Sequence, residues 1–191
     1  MLSIYTTQPC FMMLVKVKTF VVAKLAAVAV YGSAIPLRLI QTAPAGFDRA
    51  GWVSYTSALV AMGFEHELFD DARALAFIEE HYPGTKLRSV YRKFEQPVMR
   101  SSIFRPTADS KFDGFCMDMD TIVPAGWHLE ELAAQPAAAF RKERWQISNG
   151  VFGAVAGHPF VLDALEEAVR RSASLLASKN ASDITDLDVL R

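Results

Sequence analysis

The run Phe112-Asp113-Gly114-Phe115-Cys116-Met117-Asp118-Met119-Asp120-Thr121 most narrows the folds open to this chain, because it is short, apolar and ends in two aspartates one residue apart. An apolar run of this length, bounded by polar residues, reads as a buried strand. In an extended strand, side chains at i and i+2 leave by the same face, so Asp118 and Asp120 are predicted side by side at its end. Two carboxylates that close repel, and one takes up a proton unless a cation lies between them. Mg²⁺ or Mn²⁺, held by one or two carboxylates together with waters and the phosphate oxygens of a substrate, removes that conflict. The spacing alone fits a solvated loop pair as well. The apolar approach through Phe115 and Met117 favours a ligand, since α/β proteins bind ligands at the carboxyl ends of buried strands.

A chain of 191 residues, 51% of them hydrophobic, can form one domain with a substantial core. Its 20 basic and 21 acidic side chains leave a net charge of −1, which gives no electrostatic footprint for nucleic acid. Cys10 and Cys116 form neither a disulfide framework nor a zinc cluster. Cys116, inside the expected strand, reads as a small buried hydrophobe.

Residues 1–34 read as a leader. Lys16, Lys18 and Lys24 interrupt its apolar residues, which argues against a clean membrane-spanning helix. A signal or anchor segment that associates with a membrane and an unstructured extension are the two readings. The domain proper is expected over 35–178, with a polar tail at 179–191. Ile35 to Pro44 reads as a buried first strand, 45–63 as a helix ending at Gly63, and Phe64 to Phe69 as a second strand. Asp70 is placed to cap a helix that stops at Tyr82-Pro83-Gly84. This alternation of strand and helix is that of an α/β architecture.

Between 86 and 105, Arg88, Arg92, Lys93, Arg100 and Arg105 lie among apolar residues. Arg88, Arg92 and Lys93 read as a solvated basic face. The helical spacing of Arg100 to Ile103 and Phe104 would let it reach over the end of the central strand, where a guanidinium could take a diphosphate bidentately. Pro106 falls where that helix would continue, at a cost of about 3 kcal/mol. Glu130 to Phe140, rich in alanine, is expected to be helical. Trp145 to Val155 reads as a strand, Gly157-His158-Pro159 as a turn, and Phe160 to Ala177 as an amphipathic helix with Leu162, Leu165 and Val169 near one face. Trp52, Trp127 and Trp145 are read as core or rim aromatics, any of which could stack on a sugar.

Several of these blocks, in this order, resemble the DXD-containing glycosyltransferases that include fungal initiating α-1,6-mannosyltransferases and bacterial capsule and glycolipid sugar transferases. They are Ile35-Pro36 with Gln41-Thr42, Phe69-Asp70-Asp71 with Tyr82-Pro83, Pro97-Val98-Met99-Arg100 with Phe104-Arg105, Asp118-Met119-Asp120-Thr121, and Asn149 with Gly157-His158-Pro159-Phe160. The resemblance implies a GT-A-like fold, a nucleotide-binding Rossmann-type sheet flanked by helices and shortened at its C-terminal side. It implies retaining transfer from GDP-mannose or a UDP-sugar to a glycan or lipid acceptor. Localisation would follow the source: a Golgi or secretory membrane in a eukaryote, the cytoplasm or its membrane in a bacterium.

By the same resemblance, Asp118 and Asp120 would handle Mn²⁺ (or Mg²⁺), the donor ribose and the diphosphate. Gln41 and Thr42 would lie at the nucleotide, Arg100 near the donor sugar or phosphates, and Asn149 would approach the donor from a neighbouring strand. The chain departs from the pattern at Ile40, Ala43 and Asp113-Gly114-Phe115-Cys116, and Ser102 stands where an aspartate that touches the donor sugar is expected. Two other readings remain. One is a transferase-like module that binds without turnover. The other is a haloacid-dehalogenase-like phosphatase with Asp118 as nucleophile, whose later motifs Ser148-Asn149, Lys179, Asp183 and Asp186 would loosely imitate.

Overall fold

The computed structural model describes residues 34–47, 53–121, 129–143 and 146–178. The leader before Ala34, the tail from Lys179 and all three tryptophans lie outside the described residues. In chain order the elements are β1 (Arg38–Thr42), α1 (Val53–Ala61), β2 (Glu65–Phe69), α2 (Asp71–His81), α3 (Lys86–Lys93), α4 (Pro97–Phe112), β3 (Gly114–Met117), α5 (Leu129–Ala133), β4 (Ala137–Glu143), β5 (Gln146–Ala154) and α6 (Pro159–Ser178). No helix among the described residues is long and apolar enough to cross a membrane.

The five strands form one sheet in the order β2-β1-β3-β5-β4. β1 pairs in parallel with both β2 and β3, while β5 runs antiparallel to both β3 and β4. Successive side chains of the central strands feed opposite cores. Leu39, Phe115 and Met117 pack with Ile35, Leu59 and Phe64 on one face. Ile40 and Cys116 pack with Phe69, Phe77, Phe104 and Leu165 on the other. Both faces of the central strands are therefore covered, which is why their sequences are continuously apolar.

Local signals set several boundaries. Asp70 caps α2, its Oδ1 accepting from the Arg73 amide at 2.8 Å, and Gly63 follows α1 at φ +92°. Gly114 makes the connection from α4 to β3 tight. Its φ is +138°, and a Cβ there would lie 2.7 Å from the carbonyl oxygen of Arg38 on the neighbouring strand.

Two expectations are corrected, and the cost expected at Pro106 is offset. Helix α4 runs unbroken through Pro106 to Phe112. Met99, Ile103 and Phe104 on it are each 1% exposed or less, and burying three such side chains at about 1.5–3 kcal/mol each outweighs the proline. Glu130 to Phe140 is not one helix. α5 ends at Ala133, and after Pro136 the chain enters β4, with Ala137 opposite Ala154 of β5. Ladder pairing there overrides the helix propensity of alanine. On α6, Val161 rather than Leu162 is buried, with Leu165 and Ala168.

Candidate functional site

Asp118 and Asp120 do not sit on a strand. β3 stops at Met117, and Thr121 N donates back to the Asp118 carbonyl at 3.0 Å, which makes Asp118–Thr121 a turn. The i, i+2 rule that grouped the two carboxylates is therefore inapplicable. They are grouped by the turn instead, since both line one cavity of about 400 Å³ with Thr42, Pro44, Asp70 and Val98. This cavity lies at the carboxyl ends of β1, β2 and β3, where β1 has a parallel partner on each side. Such a switch in strand order is where α/β sheets open a crevice.

The turn is held from both neighbouring strands. Gln41 of β1 is 2% exposed and donates through Nε2 to the Asp118 carbonyl at 3.2 Å. On the other side, Asp118 N donates to the Gly150 carbonyl at 2.8 Å. A Cβ on Gly150 would stand 2.6 Å from Asp118 Oδ2. Gly150 thus makes room for that carboxylate inside a strand, where a glycine otherwise weakens pairing.

Asp118 Oδ1 accepts from Nη1 of Arg105 in a short charge-assisted contact. The Arg105 side chain is 5% exposed and that of Asp118 45%. A guanidinium so nearly buried needs a paired anion, because an uncompensated buried charge is strongly destabilising. Asp120 is exposed at the end of the turn. Two carboxylates, one anchored and one exposed, fit a hard divalent cation that keeps several waters and takes phosphate oxygens. Among the described residues there is no cluster of three or more acidic, histidine or cysteine side chains, so the remaining ligands would be solvent and substrate oxygens.

Arg100 is turned elsewhere. Its Nη1 donates to Asp71 Oδ2 at 2.7 Å and its Nε to the Phe94 carbonyl at 2.7 Å. Tyr91 donates to the other oxygen of Asp71 at 3.2 Å, and burial, then the Asp71 charge, push its phenol above the ordinary range. Asp71 and Tyr91 line the cavity, so Arg100 acts on the cavity wall through Asp71. Thr42 lies in the cavity, its hydroxyl 2.6 Å from that of Ser101 on α4. Gln41 is behind the turn, and Asn149 lines a second cavity between α4, β5 and α6. His158, read as a turn residue, accepts through Nδ1 from the Phe160 amide at 3.2 Å, and burial lowers its pKa.

Sequence reasoning missed Arg105 and Gly150. The first stood in view among the basic residues of α4. The second carried a usable signal, a glycine inside a strand next in space to an acidic turn.

The fold is of the GT-A glycosyltransferase class. A solved structure described as PaToxG glycosyltransferase matches it with a TM-score of 0.58 at 12% identity, covering 86% of this chain and 69% of that one. In sequence the chain is similar to fungal mannosyltransferases, as its motifs implied. Mannosyl phosphorylinositol ceramide synthase SUR1 of Saccharomyces cerevisiae is 30% identical over 103 residues, which is 54% of this chain and 26% of that protein. Inositol phosphoceramide mannosyltransferase 3 of Schizosaccharomyces pombe is 27% identical over 140 residues, 72% of this chain and 38% of that protein. The chain thus spans well under half the length of these relatives. No family model matches it.

Proposed function

We propose that this chain is a metal-dependent, retaining glycosyltransferase that moves a hexose, mannose by analogy with its relatives, from GDP-mannose or a UDP-sugar to a glycan or lipid acceptor. The observation that carries this reading is the crevice at the strand switch, where the nearly buried Arg105 pairs with the half-exposed Asp118 beside the exposed Asp120. In the reaction, the bond from the anomeric carbon to the diphosphate oxygen breaks, and an acceptor hydroxyl oxygen bonds that carbon from the same face. The hydroxyl proton leaves with the diphosphate.

Negative charge grows on the leaving diphosphate, and a fixed cation in a water-poor site stabilises it far more than one in bulk water. Arg105 is such a cation, set behind the cavity wall and acting on it through Asp118. Asp118 aims it, and Gln41 and Gly150 keep Asp118 in place. Thr42 and Ser101, on the same cavity, offer hydroxyls to the nucleotide side of the donor. Asp118 and Asp120 would hold Mn²⁺ or Mg²⁺, which neutralises the diphosphate.

By analogy with the mannosyltransferases it resembles, which are named for phosphorylinositol ceramide and inositol phosphoceramide, the acceptor is an inositol phosphate head group on a ceramide. The test is ligand-induced stabilisation. GDP or UDP with Mn²⁺ should raise Tm, whereas inorganic phosphate should not, and Asp120→Ala should lose the Mn²⁺-dependent part with its own Tm unchanged. An Asp120→Ala protein that binds as tightly as the parent ends the metal assignment. A phosphoaspartate trapped at Asp118 would replace the whole reading by the phosphatase one, although engagement of Oδ1 by Arg105 speaks against that oxygen as a nucleophile. Nucleotide binding without transfer or donor hydrolysis would leave the non-catalytic module.

A further inference from the structure

The charged lining of the first cavity is of one sign. Asp70, Asp71, Asp118 and Asp120 line it, and among the described residues no basic side chain does. Arg100 and Arg105 answer Asp71 and Asp118 from behind the wall. A diphosphate therefore settles where a cation covers the carboxylates, at the Asp118 turn. The uncharged, flat part of the same ligand is left to the apolar part of the wall.

That part comes from two elements. Pro44 and Phe47 stand on the loop after β1, and Pro97 and Val98 on the first turn of α4, with Val98 48% exposed. Four aromatic rings line the cavity, and three of them are committed to the core: Phe69 is 4% exposed, Tyr91 3% and Phe104 0%. Phe47 is the fourth. It is half-buried and belongs to neither core cluster.

The chain builds a turn that holds this ring at the cavity. Ala43 N donates to the Phe69 carbonyl at 2.9 Å, which ties the start of the loop to β2. Phe47 N then donates to the Pro44 carbonyl at 3.2 Å and closes a turn over Ala45 and Gly46. Gly46 has φ +76° while Ala45 has no positive φ, the pattern of a type II turn. A Cβ on Gly46 would meet nothing within 4 Å, so this glycine serves the shape of the backbone and not a lack of space. β1 stands between β2 and β3 in the sheet, and neighbouring strands lie about 4.8 Å apart. A ligand that starts at the Asp118 turn thus reaches the Phe47 ring within the one cavity of about 400 Å³.

We propose that Phe47 is the platform on which the nucleobase of the donor stacks. The inference rests on the transferase reading above and orients the donor within it, with the diphosphate at the Asp118 turn and the base on Phe47 beside Pro44. Every base has a π-face, so an aromatic platform holds them all. Phe47 gives the site affinity for a nucleoside diphosphate without choosing between GDP and UDP.

Titration calorimetry on the full chain with Mn²⁺, using GDP, UDP and pyrophosphate, tests it. The parent should bind both nucleotides more tightly than pyrophosphate. Phe47→Ala should weaken GDP and UDP by about tenfold or more, the scale of a lost base–aromatic stack. It should bind pyrophosphate as the parent does, which also shows that the variant is folded. Phe47→Tyr should recover the nucleotides, since it returns the ring face. Gly46→Ala should cause a smaller loss of the same kind, because it strains the turn without filling the cavity. Undiminished nucleotide binding by Phe47→Ala, an equal loss of pyrophosphate, or no recovery in Phe47→Tyr would each overturn the proposal. A parent that binds pyrophosphate as tightly as the nucleotides would overturn it and leave a metal–diphosphate site standing. A parent that binds none of the three would defeat the transferase reading, and the platform with it.

Discussion

The two cavities that flank α4 are built on opposite principles. Behind the wall of the first, charged groups pair, Arg105 with Asp118 and Arg100 with Asp71, although Arg105 Nε and Gln41 Oε1 have no partner among the described residues. In the second, Asn149 Nδ2 has no partner among the described residues, and the Arg171 guanidinium is engaged through Nε. The difference follows from topology. The first stands where parallel strands end together and adjacent loops reach each other, while the second lies under the overhang of an antiparallel strand whose neighbour β3 has already stopped. A site organised before its ligand arrives suits charge stabilisation in a transition state. A site with open hydrogen-bonding capacity suits recognition of hydroxyls.

The sharpest way to break this contrast is at Arg105. Arg105→Ala should lower kcat for sugar transfer by about 10²–10³-fold, the scale for removing one preorganised charge from a transition state. It should also lower Tm, because the Asp118 turn loses its anchor. Arg105→Lys should recover the fold better than the rate, since a point charge replaces a planar fork. An unchanged kcat would make Arg105 purely structural and remove the distinction between the cavities.

Gly150→Ala is a smaller blow from the opposite strand. The new Cβ would crowd Asp118 Oδ2, so the carboxylate must turn and nucleotide binding with Mn²⁺ should weaken about tenfold, or about 1.4 kcal/mol. Binding of GDP without Mn²⁺ should change less, and equal losses with and without the metal would show that this carboxylate serves no metal.

The least effect concerns a buried group in neither cavity. Asp109 on α4 is fully buried, and neither of its carboxyl oxygens has a side-chain or well-formed backbone partner. Burial, the largest influence, raises its pKa well above 3.8, with the Asp113 charge adding to the shift. The folded state therefore holds this proton where the unfolded chain has lost it. The stability that this proton contributes is complete below about pH 4 and declines as pH climbs from there toward the raised pKa. Asp109→Asn lacks this titration, so its stability relative to the parent should improve as pH rises above about 4. Urea unfolding at several pH values measures it, and a constant difference between the two proteins would mean Asp109 is not the titrating group.

Much of the fold was legible because its determinants are local. The apolar run through Phe115 and Met117, the Asp70 cap and the Gly63 and Gly84 stops each act within a few residues. The alternation they punctuate could only close as a helix-covered sheet. The helix read into Ala137–Phe140 failed because alanine's preference is weak beside a ladder supplied by β5, more distant in sequence.

The site was half legible for a similar reason. Sequence alone put two acidic groups at the end of a buried strand and arginines on the helix before it. It could not say which arginine. Arg100 and Arg105 are five positions apart, about 140° around a helix, so they point different ways. α4 is buried over most of its surface from Ser102 to Ser110, with no solvent face in its pattern to fix its rotation. Packing against β3 and α6 decided that Arg105 meets Asp118 and Arg100 meets Asp71. The same packing brought Gly150 against Asp118 and opened the second cavity, since both depend on contacts between residues far apart along the chain that no local spacing encodes.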